Sequence, residues 1–302
     1  MIIDDNPLVS VVVITYKSAN TILETLESFK QQTYKNIELI VSDDCSPDNT
    51  VEVVEEWIKN NSSYFVKVQL LKNSQNIGPS GNLNRGIKAA TGEWIKSLAG
   101  DDTVTPDAIA KYVEYVINHP GFPVVTAKMK AFKANGNSCD EDQNGLERQY
   151  ALLRTGNREK QYHNALKSHI LAGPGLFKNK KICEEIGGYN EKYPMGEEYD
   201  FELRVFERVY VPIIEEYLVN WRISPSSLSH KMSLKSVQSD YLFFKEVKSK
   251  LLLKEKMYLS YYQEKLDFFI ALHPRYHSIL KYLKLLKPAF WHRILFKIFR
   301  NG

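Results

Sequence analysis

The 302-residue sequence is 43% hydrophobic and 25% charged, ordinary for a soluble globular chain and long enough for one large α/β domain with an appendage. A net charge of +4 is too small to point to nucleic acid as a partner. The three cysteines, Cys45, Cys139 and Cys183, form no CxxC pair, which argues against a disulfide framework or a zinc site and fits a reducing compartment. The start, Met1 to Pro7, has an acidic flank and no long apolar core, so it does not read as a signal peptide. No stretch approaches the roughly 20 apolar residues that span a bilayer.

Residues 8–14 are β-branched and apolar on both faces, the pattern of a buried parallel strand. After Thr15-Tyr16-Lys17, a helix is predicted from about Asn20, with Ile22, Leu26 and Phe29 at helical spacing. A second strand, 37–41, ends in a loop with the acidic pair Asp43-Asp44. A helix with Val51, Val54, Trp57 and Ile58 on one side follows, then a third strand over 66–71. Residues 76–86 form a glycine-rich entry into a third helix, whose N-terminus favours an anion.

The apolar-leaning run 93–98 reads as the fourth strand, and Pro106-Asp107 as a helix start with Pro at its first position. Asp101 and Asp102 therefore fall at a strand's carboxyl end, where open α/β sheets bind ligands. Adjacent carboxylates repel unless a cation or strong donors share them, so the pair suggests a divalent metal. The alternation predicts a parallel sheet with right-handed crossovers, both acidic loops and the Thr15-Tyr16 loop opening on one edge. No GxGxxG follows the first strand and no GxxxxGK[ST] occurs, so the expected nucleotide site uses carboxylates and a metal rather than a glycine cradle.

Downstream, 106–118 reads as a helix with Ile109, Tyr112, Val113 and Val116 inward, and 123–127 as a strand. Residues 133–164 are polar and read as an irregular, mobile insertion. A strand-turn element is expected over 171–177, short helices over 179–186 and 197–208, and extended segments over 211–214 and 217–222. From Lys231 the chain reads as a helical appendage. Residues 278–302 carry Lys281, Lys284, Lys287, Arg293, Lys297 and Arg300, no acid, and an apolar face including Phe290, Trp291, Ile294 and Leu295. That pairing predicts an interfacial helix on an anionic membrane, against the alternative of a helix packed on the protein's own core.

Several short segments, in this order and spacing, resemble family 2 glycosyltransferases with the inverting GT-A fold, of the bacterial surface-polysaccharide type. They are Val11-Val-Val-Ile-Thr-Tyr16, Gln31-Gln-Thr-Tyr34, Ile40-Val-Ser-Asp-Asp-Cys-Ser46, Asn76-Ile-Gly78, Asn84-Arg-Gly86, Gly92-Glu-Trp-Ile95 and Gly100-Asp-Asp-Thr103. On the acceptor side, Gly187-Gly-Tyr-Asn190 and Gly196-Glu-Glu-Tyr-Asp-Phe-Glu-Leu-Arg204 continue the likeness, which covers about residues 7–225. Two positions depart from the family pattern: Ala99 stands where an Asp often precedes the acidic pair, and Glu198 where Asp is usual, lengthening the reach by one methylene.

The resemblance implies a GT-A, Rossmann-like, mostly parallel sheet flanked by helices over 1–225, with a nucleotide-binding half at 7–105 and an acceptor half at 106–225. A helical C-terminal region follows over 226–302. It places Thr15, Tyr16, Asp44 and Asn76 in the nucleotide pocket, Asp101 on the ribose and Asp102 on Mn2+ or Mg2+ bridging the diphosphate. Glu198, with Glu197 as the alternative, becomes the general base; neighbouring carboxylates raise each other's pKa, which suits a base working near neutrality. Arg222 and His230 are candidate diphosphate contacts from a closing segment. The implied reaction moves a sugar from a nucleotide-diphosphate sugar, UDP first, to a glycan acceptor that is lipid-linked, at the cytoplasmic face of the membrane. Rival readings are a dTDP- or GDP-sugar donor, a sugar-phosphate nucleotidyltransferase, and a non-catalytic sugar-nucleotide or membrane-binding module. Thr15-Tyr-Lys-Ser18 lacks the glycine a nucleotidyltransferase would need.

Overall fold

The computed structural model describes residues 5–135, 139–193, 197–224 and 234–272. The chain comprises two compact units, Met1–Ser227 and Leu228–Gly302. In the first, β1 (Val9–Thr15) pairs in parallel with β2 (Ile37–Asp43) and β4 (Trp94–Ala99), and β2 with β3 (Lys67–Lys72). Helices α1 (Ile22–Lys30), α2 (Thr50–Asn61) and α3 (Gly78–Ala89) make the crossovers. β2 is buried throughout and β1 at all but one position, as strands covered by helices on both faces must be. α1 turns Ile22, Leu26 and Phe29 inward, the three residues whose spacing predicts it.

Beyond β4 the sheet changes character. β7 (Leu176–Asn179) runs antiparallel to β4, and β6 (Val124–Phe132) antiparallel to β7. β8 (Ile213–Arg222) runs parallel to β6, and the two-residue β5 (Thr103–Val104) closes the far edge against β8. The eight strands follow the order β3-β2-β1-β4-β7-β6-β8-β5. The α/β reading of the sequence holds, with a parallel first half and a mixed second half. Because β7 is reversed, it enters the sheet at the edge where β4 ends. β8, running with β6, finishes at that same edge.

Four local expectations are corrected. α4 (Ala108–Asn118) starts two residues after Pro106, with Asp107 at its N-cap; the Pro106 carbonyl instead accepts from Thr33 N at 2.8 Å. The glycine-rich stretch is mostly α3 itself, which begins at Gly78 with φ of 81°. Within the polar segment 133–164, the described residues from 139 onward are mostly helical: α5 (Asp140–Leu153) buries Leu146, Tyr150 and Leu153 at helical spacing. α6 (Arg158–Lys167) is capped by Asn157, whose side chain accepts from Lys160 N. The two extended segments over 211–222 are one strand, β8, which shifts register against β6 between Ala127 and Met129.

Short helices α7 (Lys180–Glu185) and α8 (Glu197–Phe206) complete the first unit. The second contains α9 (Leu234–Phe243), a π-helical turn Phe244–Lys248, α10 (Ser249–Lys254) and α11 (Tyr258–Leu272), a helical region as expected. Its buried Lys248 pairs with Glu264 at 2.8 Å. No helix among the described residues is long and apolar enough to cross a membrane. His230 and the basic segment 278–302 lie outside the described residues.

Candidate active site

The loops that leave β1 and β2 are tied together by Asp43. Its Oδ1 accepts from Thr15 Oγ1 at 2.8 Å and Ser46 Oγ at 2.6 Å, and its Oδ2 from Ser46 N at 2.8 Å. Asp44 N donates to the Thr15 carbonyl at 2.9 Å. Lys17 and Cys45, one in each loop, take left-handed φ values of 56° and 59°, a conformation that non-glycine residues adopt mostly where surrounding structure enforces it. Tyr16, next to Lys17, is 46% exposed, with the Lys17 ammonium 5.2 Å from its ring centre. Asp44 is buried and anchors the start of α3: Oδ1 accepts from Ile77 N at 2.8 Å and Asn73 Nδ2 at 2.9 Å, Oδ2 from Gly78 N at 2.8 Å. Asn76 donates to the Asp44 carbonyl at 3.3 Å. Thr15, Tyr16, Asp44 and Asn76, widely separated in sequence, thus form one wall.

At the end of β4 the acidic loop is fastened from outside. Thr21 Oγ1 reaches the Gly100 carbonyl and Thr25 Oγ1 the Asp102 carbonyl, each at 2.7 Å. Asp102 is 2% exposed, and its Oδ1 accepts from Arg222 N at 2.8 Å. Burial first, then the Asp101 charge, pushes the Asp102 carboxyl up to about 8; burial also raises Asp101, which Arg222 partly offsets. The buried Asp102 carboxyl beside half-buried Asp101 is a pairing that a cation would relieve. Among the described residues no group of three or more His, Cys, Asp or Glu assembles around a metal position. Asp102, with Asp101 beside it, offers carboxylate oxygens of the kind a hard divalent ion takes.

Arg222 is placed differently from the closing segment expected of it. It ends β8, Nε donates to the Asp101 carbonyl at 2.8 Å, and its terminal nitrogen pairs with Glu24. The guanidinium lies 4.6 Å from the Phe132 ring centre. It is a fixed strut of the acidic loop.

The acceptor side comes from α8. Tyr199 OH donates to the Ala165 carbonyl at 2.7 Å and the Arg204 guanidinium to the Ile186 carbonyl, tying the helix to α6 and to the end of α7, while Asp200 holds Arg204 Nε at 2.8 Å within the helix. Glu198, half-buried, lays its carboxylate directly on Gly173: a Cβ there would overlap Oε1. Gly173 opens a tight 3-10 turn, Gly173–Gly175, leading into β7 at the sheet edge where Asp101 and Asp102 follow β4. One helical turn on, fully buried Glu202 accepts from Ile170 N and Leu171 N at 2.9–3.1 Å and meets His169 Nε2 at 3.1 Å. Burial pushes its carboxyl up to about 7 despite those donors. Glu197 begins α8; its side chain lies outside the described residues.

The loops after β1, β2 and β4, which carry Thr15, Tyr16, Asp44, Asp101 and Asp102, open on one sheet edge, and Glu198 lies on the turn that leads into β7 there. Asp43, Glu24, Glu202 and Gly173 are the supports that sequence reading missed. Asp43 could have been found, since it shares the acidic pair with Asp44; Glu202 and Gly173 carry no local signal.

Residues 10–187 match Glycosyl transferase family 2. The Rhizobium meliloti succinoglycan biosynthesis protein ExoO is 40% identical over 112 residues, covering 37% of this chain and 30% of that one. The curated relatives first matched are covered over between 23% and 72% of their own length. Two solved structures, each 16% identical, share the fold. S. aureus TarS 1-349 in complex with UDP-GlcNAc has a TM-score of 0.60, with 88% of this chain and 82% of that one covered. The mannosyltransferase PcManGT from Pyrobaculum calidifontis, in complex with GDP-Man and Mn2+, has a TM-score of 0.58, with 96% and 84% covered.

Proposed function

This chain belongs to glycosyl transferase family 2, and we propose that it transfers a sugar, with inversion, from a nucleotide-diphosphate sugar to a glycan acceptor. The observation that carries the reading is the convergence of buried Asp102 and the Glu198 carboxylate on one sheet edge, beside the Thr15–Asp44 wall. Tyr16 stacks on the base. Asp44 Oδ2, with one donor in place, has a lone pair for a base N–H. Asp101 holds the ribose hydroxyls. Asp102 holds Mn2+ or Mg2+, which supplies charge stabilisation to the leaving diphosphate. Glu198 takes the proton of the acceptor hydroxyl in a single displacement, which requires one base and no covalent intermediate.

UDP-sugars are the first donors to try, and the TarS complex with UDP-GlcNAc supports that choice; GDP- and dTDP-sugars are the alternatives, GDP having its own precedent in PcManGT. The acceptor class is a lipid-linked glycan of a bacterial surface polysaccharide, in line with the ExoO likeness. A panel of UDP-, GDP- and dTDP-sugars, scored for nucleotide diphosphate release with Mn2+, tests this. Release from UDP-sugars is expected; nucleotide binding without release from any donor would favour the non-catalytic module.

The membrane placement, peripheral on the cytoplasmic face, rests on the six basic residues and the Trp-Phe-Ile-Leu pattern of 278–302. Each cation near an anionic surface contributes about 1 kcal/mol, weakened by salt. Truncation after His277 should release the protein from anionic vesicles in flotation at low salt while donor hydrolysis persists. Equal flotation of full-length and truncated protein would end the membrane reading.

A further inference from the structure

Lys96 on β4 and Lys178 on β7 are both fully buried in the middle of the sheet. Ile95 lies opposite Lys178 and Lys96 opposite Phe177, so the two lysines project from opposite faces. A buried ammonium is normally paired with a carboxylate, because desolvating an unpaired charge is strongly unfavourable. Among the described residues no carboxylate comes within ion-pair distance of either. Lys178 Nζ instead meets Ser97 Oγ at 3.0 Å and Tyr189 OH at 2.8 Å. Lys96 Nζ donates to the carbonyls of Pro174 and, at 3.3 Å, Leu176, and lies 5.1 Å from the Tyr112 ring centre.

The carbonyl partners of Lys96 are the informative feature. Pro174 is the middle of the turn Gly173–Gly175, and Gly173 is the surface on which the Glu198 carboxylate rests. The same turn is held from α4 by Tyr112 OH on the Gly175 carbonyl at 2.7 Å. It cannot settle deeper, since a Cβ on Gly175 would already overlap Thr126 Oγ1 and the Ala127 carbonyl. Burial, and then the Lys178 charge, push the Lys96 ammonium down to about 7, with Asp102 opposing them. A methionine of similar length would remove the buried ammonium but leave the Pro174 carbonyl without this donor.

We propose that Lys96 is a positioning residue for glycosyl transfer: from inside the sheet it fixes the Gly173–Gly175 turn beneath Glu198. The proposal rests on the role given above to Glu198.

Lys96→Met and Lys96→Gln, the second keeping a donor for the Pro174 carbonyl without the charge, test it. The readouts are thermal unfolding, calorimetry with UDP and Mn2+, and steady-state kinetics with the donor that releases most nucleotide diphosphate. Lys96→Met should stay folded with an unfolding temperature near wild type, the relieved desolvation offsetting the lost hydrogen bonds. Its nucleotide Kd and KM should stay within about threefold, and kcat should fall by roughly 10- to 100-fold, the size expected from a small misplacement of a reacting group. Lys96→Gln should recover part of that kcat. A lower unfolding temperature with kcat of the folded protein unchanged, or failure of both variants to fold, would show a structural lysine and overturn the proposal. Unchanged kcat in a stable Lys96→Met variant would overturn it too, leaving the glycosyltransferase reading intact. A wild-type protein that releases no nucleotide from any donor would instead remove that reading, and this proposal with it.

Discussion

Asp102→Asn should raise the Kd for UDP in the presence of Mn2+ by roughly 100-fold or more, while UDP binding without metal stays close to wild type. Loss of outer-shell partners alone costs about 10- to 100-fold in metal affinity, so loss of a ligand carboxylate should reach at least the top of that range. Asparagine is a fair replacement because its carbonyl can still accept from Arg222 N, the 2.8 Å bond that seats this side chain against β8. Folding should not suffer. The Asp102 carboxyl, pushed up to about 8 by burial and Asp101, sits far above its unfolded value, so above about pH 4 its ionisation works against the metal-free folded state. Removing the ionisable group removes that penalty, and the metal-free variant should melt at the wild-type temperature or above it at pH 7. Calorimetric titration of UDP with and without Mn2+, beside a thermal melt, reads both effects. Unchanged Mn2+-supported affinity would take the metal away from Asp102.

The first hundred residues were legible because their physics is local. Strands buried on both faces, as β1 and β2 are, read as unbroken apolar runs, and α1 has a clean inward stripe of Ile22, Leu26 and Phe29. Alternation of such elements determines handedness and the shared edge before any contact is known. That is why Thr15, Asp44 and Asp102 could be assigned to one site from sequence. The second half was harder because strand direction there depends on long-range pairing. Nothing local in Leu176–Asn179 says that it runs against β4, yet that reversal brings Gly173 and Glu198 to the site. α5 was hidden by composition: its polar face outweighs Leu146, Tyr150 and Leu153, though their spacing is helical.

Supports were less legible than contacts. Arg222 shows only that it is an arginine after an extended run; its hold on the Asp101 carbonyl and on Glu24 joins residues nearly two hundred positions apart. Lys96 is a different case. A single lysine in a strand otherwise suited to the interior is itself a signal, because a charge in the middle of a buried strand must be either misplaced or used.

The largest effect on rate is expected from Glu198→Gln. General-base catalysis contributes about 10²- to 10⁴-fold, and a glutamine amide cannot take a proton, so kcat should fall by at least about 100-fold. The amide matches the carboxylate in shape and can lie on Gly173 as Glu198 does, so the helix and the turn beneath it should be undisturbed. Nucleotide affinity should then stay within about twofold, because the Thr15–Asp44 wall and Asp102 are untouched. This combination, lost turnover with kept binding, separates a base from a binding residue. Glu197→Gln is the necessary companion, since both residues begin α8. If Glu197→Gln loses turnover and Glu198→Gln keeps it, the base lies one residue earlier and the Gly173 contact is only packing. If both variants turn over normally, proton removal does not depend on α8. Glu198→Asp would then refine the geometry: it restores a carboxylate one methylene short of Gly173, and partial recovery of kcat over Glu198→Gln would show that basicity, more than reach, was lost.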